Sequence, residues 1–309
     1  MTAADFFDQV LDQIELGYPA EAIARLMGML DIAADESSRL GDLGVDLHAH
    51  PLFDLLKHDA AVALSCSRAA DRIGQLVNQI AAPRLGPALS MGPASGAAAM
   101  LRAAVADSAF NRAIRARVHH SGEVLNRAWQ AGRSIAVTGG TLPCELIGLI
   151  RRDLSNLTIA EPEPAQAAGL RQQLGTSAQI YRQAPAAFLA GAVQRRARFD
   201  LIYFPRALDT LRPDRVAALL EQAAQILAPG GMIVMPAFRP MRIGRGWQQI
   251  CLNWPVLDHT DAALLAIAPG QLSARVMSDS AGCFSWLAVT QSAGQDQMQP
   301  MSMSMGGRL

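Results

Sequence analysis

The sequence predicts an α/β protein in which a helical N-terminal part precedes a mostly parallel sheet that ends in an antiparallel hairpin. Apolar residues recur at helical spacing through the first part of the chain, and short apolar strands alternate with helices after Gly132. That alternation indicates a parallel sheet covered by helices on both faces. The last two apolar runs, residues 272–278 and 283–290, are joined by a short polar turn, which is typical of an antiparallel hairpin.

The composition limits the classes of protein to which this chain can belong. Its 309 residues include 27 acidic and 27 basic side chains, so no net field attracts nucleic acid or an anionic membrane. The four cysteines form no C-x-x-C pair and predict buried thiols in a reducing compartment. The sequence shows no secretory signal pattern and no apolar run long enough to span a bilayer. We therefore expect a cytoplasmic protein without nucleic-acid partners, and its oligomeric state is not predicted.

The N-terminal domain, residues 1–105, is predicted to be helical. Apolar residues at helical spacing predict a first helix over residues 5–16, and Pro19 fits the first turn of a second helix. Residues 81–99 are rich in Ala, Pro, Gly and Ser, which predicts a linker or a loosely ordered crossing.

A second domain, residues 106–291, is predicted to hold the sheet. Asp107 or Ser108 caps a long helix whose apolar stripe runs from Phe110 to Trp129. The predicted elements then follow in this order: strand 134–137, helix 142–150, strand 157–160, helix 164–174, strand 179–181, strand 199–204, helix 213–227, turn 229–231, strand 232–235 and the terminal hairpin. Residues 292–309 consist largely of Gln, Met, Ser and Gly, which predicts a disordered tail.

The loop after the first predicted strand is the first candidate binding site, because parallel sheets bind ligands at the carboxyl ends of their strands. Gly139 and Gly140 leave no side chain there, so the backbone can approach a ligand closely. Glu161 ends the second strand about 20 residues later, where a carboxylate can accept hydrogen bonds from the ribose of a nucleoside. A nicotinamide dinucleotide would need a third glycine for its pyrophosphate, which this loop lacks. S-Adenosylmethionine carries no phosphate and needs less from the loop.

FDLIY at 199–203, LAPGG at 227–231 and MIVM at 232–235 resemble the passage from the fourth strand to the fifth in class I S-adenosylmethionine-dependent methyltransferases. Four more segments resemble, in the same order, the extracellular-factor (3-hydroxypalmitic acid methyl ester) biosynthesis methyltransferases: HPLFDLL at 50–56, NRAIRAR at 111–117, ALDTL at 207–211 and LNWPVLDH at 252–259. The resemblance covers patches between His50 and Gln291, and it implies a Rossmann-like sheet and methyl transfer to an oxygen of a small or lipid-like acid.

Under this hypothesis the cofactor is S-adenosylmethionine and no metal ligand is expected. The cofactor-binding residues lie at the strand ends: Thr138, Gly139, Gly140 and Thr141 for the methionine part, Glu161 for the ribose, Gln183 and Ala184 for the adenine, and Phe204 and Pro205 beside the transferred methyl group. Arg206 is the candidate catalytic residue, since a guanidinium can pair with the carboxylate of a small or fatty-acid-like acceptor.

The first motif departs from the family pattern. Ala136 stands at the usual acidic position and Thr138 at the first glycine, and no Pro-Arg-Gly-Tyr type segment is found near residues 67–72. A catalytically inactive methyltransferase-like binding or regulatory protein is therefore the alternative hypothesis, and a dehydrogenase is the third.

Three other patterns allow a functional and a structural interpretation. His48 and His50 would bind one metal if they lay on a strand, although no eight strand–helix units follow. Trp247 and Trp254 either line an acceptor pocket or pack in the core. His259 is either a general base or a solvated loop residue.

Overall fold

The computed structural model describes residues 2–68, 71–83, 96–140, 143–149, 153–240 and 242–291. The predicted tail and most of the predicted linker lie outside these residues. Thr141, one of the predicted site residues, also lies outside them.

The N-terminal part of the chain is helical, as predicted. Its described helices are α1 (Ala3–Glu15), α2 (Pro19–Ala33), α3 (Ser37–Ala49), α4 (Pro51–Leu56), α5 (Ala60–Ser65), α6 (Arg72–Ala81) and α7 (Ala97–Ala106). A capping box begins α1: the Thr2 hydroxyl accepts a hydrogen bond from the Asp5 backbone N–H, and the Asp5 carboxylate accepts one from the Thr2 N–H. Pro19 occupies the first turn of α2, as predicted, and α2 packs against α1.

The long helix α8 (Ala109–Gln130) connects the N-terminal helices with the sheet. Ser108 rather than Asp107 is its N-cap, because the Ser108 side chain accepts a hydrogen bond from the backbone N–H of Asn111 at 3.2 Å. The apolar stripe of α8 is buried from Phe110 to Leu125 and partly buried at Trp129, and Arg117 and Ser121 are buried with it.

Seven strands form one sheet: β1 (Ile135–Thr138), β2 (Leu157–Ala160), β3 (Gln179–Tyr181), β4 (Phe199–Tyr203), β5 (Leu227–Phe238), β6 (Leu272–Ser278) and β7 (Phe284–Gln291). Their order is β3-β2-β1-β4-β5-β7-β6. The first five strands pair in parallel, whereas β7 pairs antiparallel with both β5 and β6. The predicted Rossmann-like sheet with an antiparallel terminal hairpin is confirmed.

Further helices lie between the strands along the chain: α9 (Pro164–Leu174), α10 (Pro185–Gln194), α11 (Ala207–Thr210), α12 (Pro213–Gln225), α13 (Arg245–Ile250) and α14 (Asp261–Ile267). α13 packs against α2 and α3. A 3-10 helix, Pro143–Leu149, follows β1. None of the helices that the structure describes combines the length and the apolar character that crossing a bilayer requires.

Alternate residues of each strand face opposite sides of the sheet, and each side has its own apolar core. Ile135 and Val137 pack in a core that α8 and the N-terminal helices share. Ala136 belongs to the second core, together with Phe188 of α10 and Leu220 of α12. The first core therefore crosses the predicted boundary between residues 105 and 106, and the division into two domains stays a prediction.

Two local predictions about the sheet region are wrong. The predicted turn at 229–231 lies within β5, because Leu227 already pairs with Phe199 before the register shifts. The predicted α-helix over 142–150 is instead the 3-10 helix, in the part that the structure describes.

Candidate functional site

The carboxyl ends of β1, β2, β3 and β4 meet at one edge of the sheet, because these strands run parallel. β1 lies between β2 and β4, so the order of the strands reverses there. Open α/β sheets bind ligands at such a reversal. The pairing of Thr138 with Ala160 brings Thr138 and Glu161, two of the predicted site residues, to this edge.

The bend that follows β1 requires glycine at both positions. Gly139 and Gly140 have φ angles of +89° and +93°, a region that other residues rarely adopt. A Cβ atom at position 139 would lie 3.4 Å from the Phe204 ring, and one at position 140 would lie 2.5 Å from Nε of Arg206. The absence of both side chains therefore lets the segment after β4 lie directly against the bend.

Two of the residues predicted to bind the cofactor have a buried polar atom without a hydrogen-bond partner in the described part of the chain. One is Oγ1 of Thr138, whose side chain is fully buried at the end of β1. The other is Oε1 of Gln183, in the loop after β3. An unsatisfied buried polar group costs about 1–3 kcal/mol, so most such groups have a partner. A ligand with hydrogen-bonding groups would supply the partners that these two atoms lack.

Glu161, at the end of β2, is buried, with 4% of its surface exposed. Its Oε1 accepts a hydrogen bond from the backbone N–H of Glu163 at 3.1 Å, and its own N–H donates to the Tyr181 carbonyl. The carboxylate is thus held in one orientation beside β1 and β3, which does not fit a freely solvated surface group. Ala184, the second predicted adenine residue, is exposed and precedes α10 as its N-cap.

Phe204 and Pro205 directly follow β4. Phe204 is fully buried in the core shared with α10 and α12, and its backbone N–H donates to the Val234 carbonyl at 3.0 Å. The Pro205 carbonyl accepts a hydrogen bond from Nη2 of Arg117 at 2.6 Å. Burial and these hydrogen bonds fix the positions of both residues. They can therefore form a wall of a site, but they cannot move to admit a ligand.

Arg206 occupies the space above Gly140 and forms an ion pair with Asp71. Nη2 of Arg206 lies 2.9 Å from Oδ1 of Asp71, and the two side chains are 18% and 14% exposed. Asp71 caps α6 from a left-handed conformation, with φ of +45°. The structure therefore places the side-chain carboxylate of Asp71, from the helical N-terminal part, beside Arg206. The sequence predicted Arg206 as a site residue but not Asp71.

A buried polar network beside the bend was also missed. Two guanidinium nitrogens of Arg117 contact Oδ2 of Asp209 at 3.2 and 3.3 Å, and both side chains are 1% exposed. The Tyr203 hydroxyl donates to Oε1 of Glu145 at 2.9 Å. Burial raises the pKa of Glu145 to about 7, although nearby Arg117 acts to lower it. The network joins α8, the 3-10 helix, β4 and α11 beneath the candidate site.

The histidine pair does not lie on a strand, so the metal interpretation loses its structural premise. His48 is near the end of α3 and donates from Nε2 to the Ile250 carbonyl at 3.2 Å. His50 caps α4, where its Nδ1 accepts from the Leu52 N–H. Among the described residues, no group of three or more His, Cys, Asp or Glu side chains is placed to hold a metal ion.

The two tryptophans and His259, which also allowed two interpretations, are buried and contact other parts of the protein. Trp247 and Trp254 are fully buried in the first core, where Trp254 meets the Phe238 ring edge-on at 5.5 Å. His259 is buried, and its Nε2 donates to the Leu208 carbonyl at 2.9 Å, so it is not a solvated loop residue.

Comparison with protein-family models gives no match, and comparison with curated proteins gives none either. Among solved structures, the chain is similar to a possible exported protein from Bordetella parapertussis, with a TM-score of 0.52 and 16% identity over 95% of this chain and 98% of that one. It also aligns with a magnesium protoporphyrin IX methyltransferase from Synechocystis PCC 6803 solved with bound SAH (TM-score 0.42, 13% identity, 60% and 88% of the chains). An O-methyltransferase family protein from Burkholderia thailandensis aligns with a TM-score of 0.43 and 16% identity over 64% and 61% of the chains. The Bordetella likeness shows a shared fold that extends over nearly the whole chain, from the N-terminal helices to the terminal hairpin.

Proposed function

We propose that this protein is an S-adenosylmethionine-dependent methyltransferase that methylates an oxygen of a small or lipid-like acid. One observation carries the proposal. A bend at Gly139 and Gly140, in a conformation that other residues rarely adopt, follows Thr138, whose buried hydroxyl has no partner among the described residues, and the buried Glu161 carboxylate ends the neighbouring strand. These groups lie where the order of the strands reverses, the usual binding position of an open α/β sheet. A backbone that a ligand can approach, a hydroxyl and a fixed carboxylate are groups that an adenosyl ligand can bind.

Each predicted residue has a part in this proposal. Thr138, Gly139 and Gly140, with Thr141 beyond them, would hold the methionine part, and Glu161 would accept hydrogen bonds from the ribose hydroxyls. Oε1 of Gln183 is an acceptor without a partner among the described residues, so it suits the amino group of adenine. Ala184 would flank the same ring with little steric demand.

The reaction would need no general base if the acceptor is a carboxylate. When bound, the cofactor would supply a methyl group from its positively charged sulfur to the acceptor carboxylate, with a methyl ester and S-adenosylhomocysteine as the products. The protein would then contribute alignment and the exclusion of water. Phe204 and Pro205 would form the apolar boundary of the transfer, and the Arg206 guanidinium would pair with the acceptor carboxylate.

Arg206 must turn away from Gly140 for a ligand to reach the bend. A side chain that is 18% exposed has a route toward solvent, whereas the fully buried Phe204 has none. The proposal therefore requires movement of one side chain and no change in the sheet.

We place the reaction in the cytoplasm. Cys144, Cys251 and Cys283 are buried free thiols as predicted, whereas Cys66 is exposed, which corrects the prediction for that residue. Free thiols are typical of a reducing compartment. The balanced charge of the chain favours a small-molecule acceptor over nucleic acid.

Isothermal titration calorimetry of the full chain with S-adenosylmethionine, S-adenosylhomocysteine and NAD tests the proposal. We expect both adenosyl ligands to bind and NAD not to bind. Glu161→Ala should weaken adenosyl binding at least tenfold, since about 1.5–3 kcal/mol is lost with a hydrogen bond to a charged group. Glu221→Ala, on the exposed surface of α12, is the matched control and should change nothing.

Three outcomes would count against the proposal. No detectable adenosyl binding at millimolar concentration would eliminate the enzyme and leave an inactive methyltransferase-like protein. NAD binding would instead favour a dehydrogenase. Equal affinity of the wild type and Glu161→Ala would show that the ribose lies elsewhere.

A further inference from the structure

We infer that Arg206 is a carboxylate receptor and that Asp71 occupies it from within the chain until a ligand carboxylate takes its place. This inference rests on the proposed function and adds to it the device that controls entry to the site. It makes Asp71, which comes from the N-terminal helices, a competitor of the ligand rather than a structural partner of Arg206.

The position of the ion pair supports a direct competition. A Cβ atom at position 140 would lie only 2.5 Å from Nε and 2.8 Å from Nη2 of Arg206. The guanidinium therefore lies on the glycine bend itself. A ligand held at the bend and the Arg206–Asp71 pair would share the same space.

The ion pair leaves much of its hydrogen-bonding capacity unused. Nε and Nη1 of Arg206 and Oδ2 of Asp71 are buried without a partner among the residues that the structure describes. A guanidinium presents its donors as a planar fork that fits both oxygens of a carboxylate at once. A mobile ligand could align its two oxygens with Nη2 and either Nε or Nη1, and it would satisfy a donor that Asp71 leaves unpaired.

Asp71 cannot align in this way because α6 fixes it. It caps the helix from a left-handed backbone conformation, and its Oδ1 accepts the Gly74 N–H at 3.4 Å. A side chain at position 74 would collide with the Asp71 carboxylate. The aspartate is thus a rigid stand-in for a ligand carboxylate, and the partly exposed Arg206 is the part that can move.

The ligand group is a carboxylate, and the proposed reaction offers two sources of it. One is the amino-acid end of S-adenosylmethionine or S-adenosylhomocysteine, and the other is the acid that accepts the methyl group. Each source has an uncharged counterpart. 5′-Methylthioadenosine keeps the adenosine but lacks the carboxylate, and decanol replaces decanoate as a model acceptor.

Asp71→Asn is the variant that tests the inference. Asparagine is a good N-cap and tolerates the left-handed conformation, so α6 should keep its start. We expect the variant to bind the carboxylate ligand about tenfold more tightly. This is the gain expected if Arg206 is free of Asp71 in about one-tenth of the wild-type molecules. Asp54→Asn removes the exposed ion pair with Lys57 and is the matched control, with no change expected.

Calorimetry with the full chain distinguishes the sources. Tighter S-adenosylhomocysteine binding by Asp71→Asn, with 5′-methylthioadenosine unchanged, assigns Arg206 to the amino-acid end. Tighter decanoate binding in saturating S-adenosylhomocysteine, with decanol unchanged, assigns it to the acceptor. Arg206→Gln should remove the preference for whichever carboxylate is found.

Other results would overturn the inference. If Asp71→Asn changes no affinity, or strengthens charged and uncharged ligands equally, Asp71 does not compete for a carboxylate. In that case 5′-methylthioadenosine still binds and the proposed function stands. If neither the wild type nor the variant binds any adenosyl ligand, the proposed function fails and the inference fails with it.

Discussion

At Gly140 the conformation of the backbone and the position of a charged side chain depend on each other. The φ angle of +93° turns the chain out of β1, and the missing Cβ leaves the volume that Arg206 fills. The same volume is the one that a ligand would need. One residue therefore fixes both the shape of the bend and the competition that occurs on it.

Gly140→Ala should lower both stability and ligand affinity. Strain at a positive φ costs about 1–3 kcal/mol for a residue with a side chain, and the new methyl group would displace Arg206. Urea unfolding measures the loss. Gly169→Ala is the control, since this glycine lies within α9 with open space around it and should gain up to about 1 kcal/mol. Equal effects of the two substitutions would contradict the strained bend.

The sequence could predict the site residues that lie at the ends of consecutive parallel strands. Gly139, Gly140 and Glu161 follow two consecutive strands, so their meeting follows from parallel pairing. Asp71 could not be predicted, because its contact with Arg206 depends on how the N-terminal helices pack on the sheet. No local pattern encodes that packing.

Among the elements, α8 carries Arg117, whose buried charge pairs with Asp209 in the polar network next to the candidate site. Its N-terminal cap and its apolar stripe were predictable from spacing, and Arg117 lies on that stripe. A charged residue on a buried face requires a partner of opposite charge. That rule signals a partner for Arg117, but it does not identify Asp209, which lies far along the chain in α11.

Arg117→Met should destabilise the protein strongly. The substitution leaves Asp209 buried without its cation, and breaking a buried pair in this way costs about 3–5 kcal/mol. Arg112→Met changes an exposed arginine of the same helix, and its effect should stay within about 0.5 kcal/mol. A loss below about 1 kcal/mol for Arg117→Met would show that the network is not a structural support.

Glu145 should make stability depend on pH. Burial raises its pKa from 4.5 to about 7, so folding favours the protonated form. The resulting stabilisation is fully present below pH 4.5 and is lost as the pH rises to about 7. Arg117, Tyr203 and Asp209 face the same carboxyl and set the size of the effect.

Glu145→Gln isolates this contribution, because glutamine does not titrate. Across the same interval, the free energy of unfolding of the wild type should fall relative to that of the variant, as urea unfolding at several pH values would show. A constant difference between the two proteins would mean that Glu145 has an ordinary pKa when folded.

The element predictions failed where local signals and tertiary pairing disagree. Pro229, Gly230 and Gly231 are typical turn residues, yet the pairing of Leu227 with Phe199 extends β5 through them. α10 was not predicted, because its Ala-rich run has no strong periodic contrast between apolar and polar residues. Tertiary contacts decide both cases.

For the whole molecule, the shared core is the main feature that the sequence did not reveal. The alternation of strands and helices predicted the sheet, and the helical periodicity predicted the N-terminal part. Their joint burial does not follow from either pattern. Phe7 of α1, Leu26 of α2 and Val137 of β1 belong to one continuous core.

A chain limited to residues 106–291 should therefore fail to unfold cooperatively. It would expose the face of α8 and of the sheet that the N-terminal helices cover. Urea unfolding followed by tryptophan fluorescence is the measurement. A chain of residues 1–291 is the control and should behave like the full protein, since it lacks only the predicted tail. A sharp transition in the shorter chain would show that residues 106–291 form an independent domain, as the sequence predicts.

The most direct test of the account is a crystal structure of the full chain with S-adenosylhomocysteine. We predict adenosine density between Glu161 and Gln183, the homocysteine part on the bend at Gly139 and Gly140, and Arg206 released from Asp71. A structure at saturating ligand in which the Arg206–Asp71 pair remains on Gly140 and the adenosine lies elsewhere would contradict it.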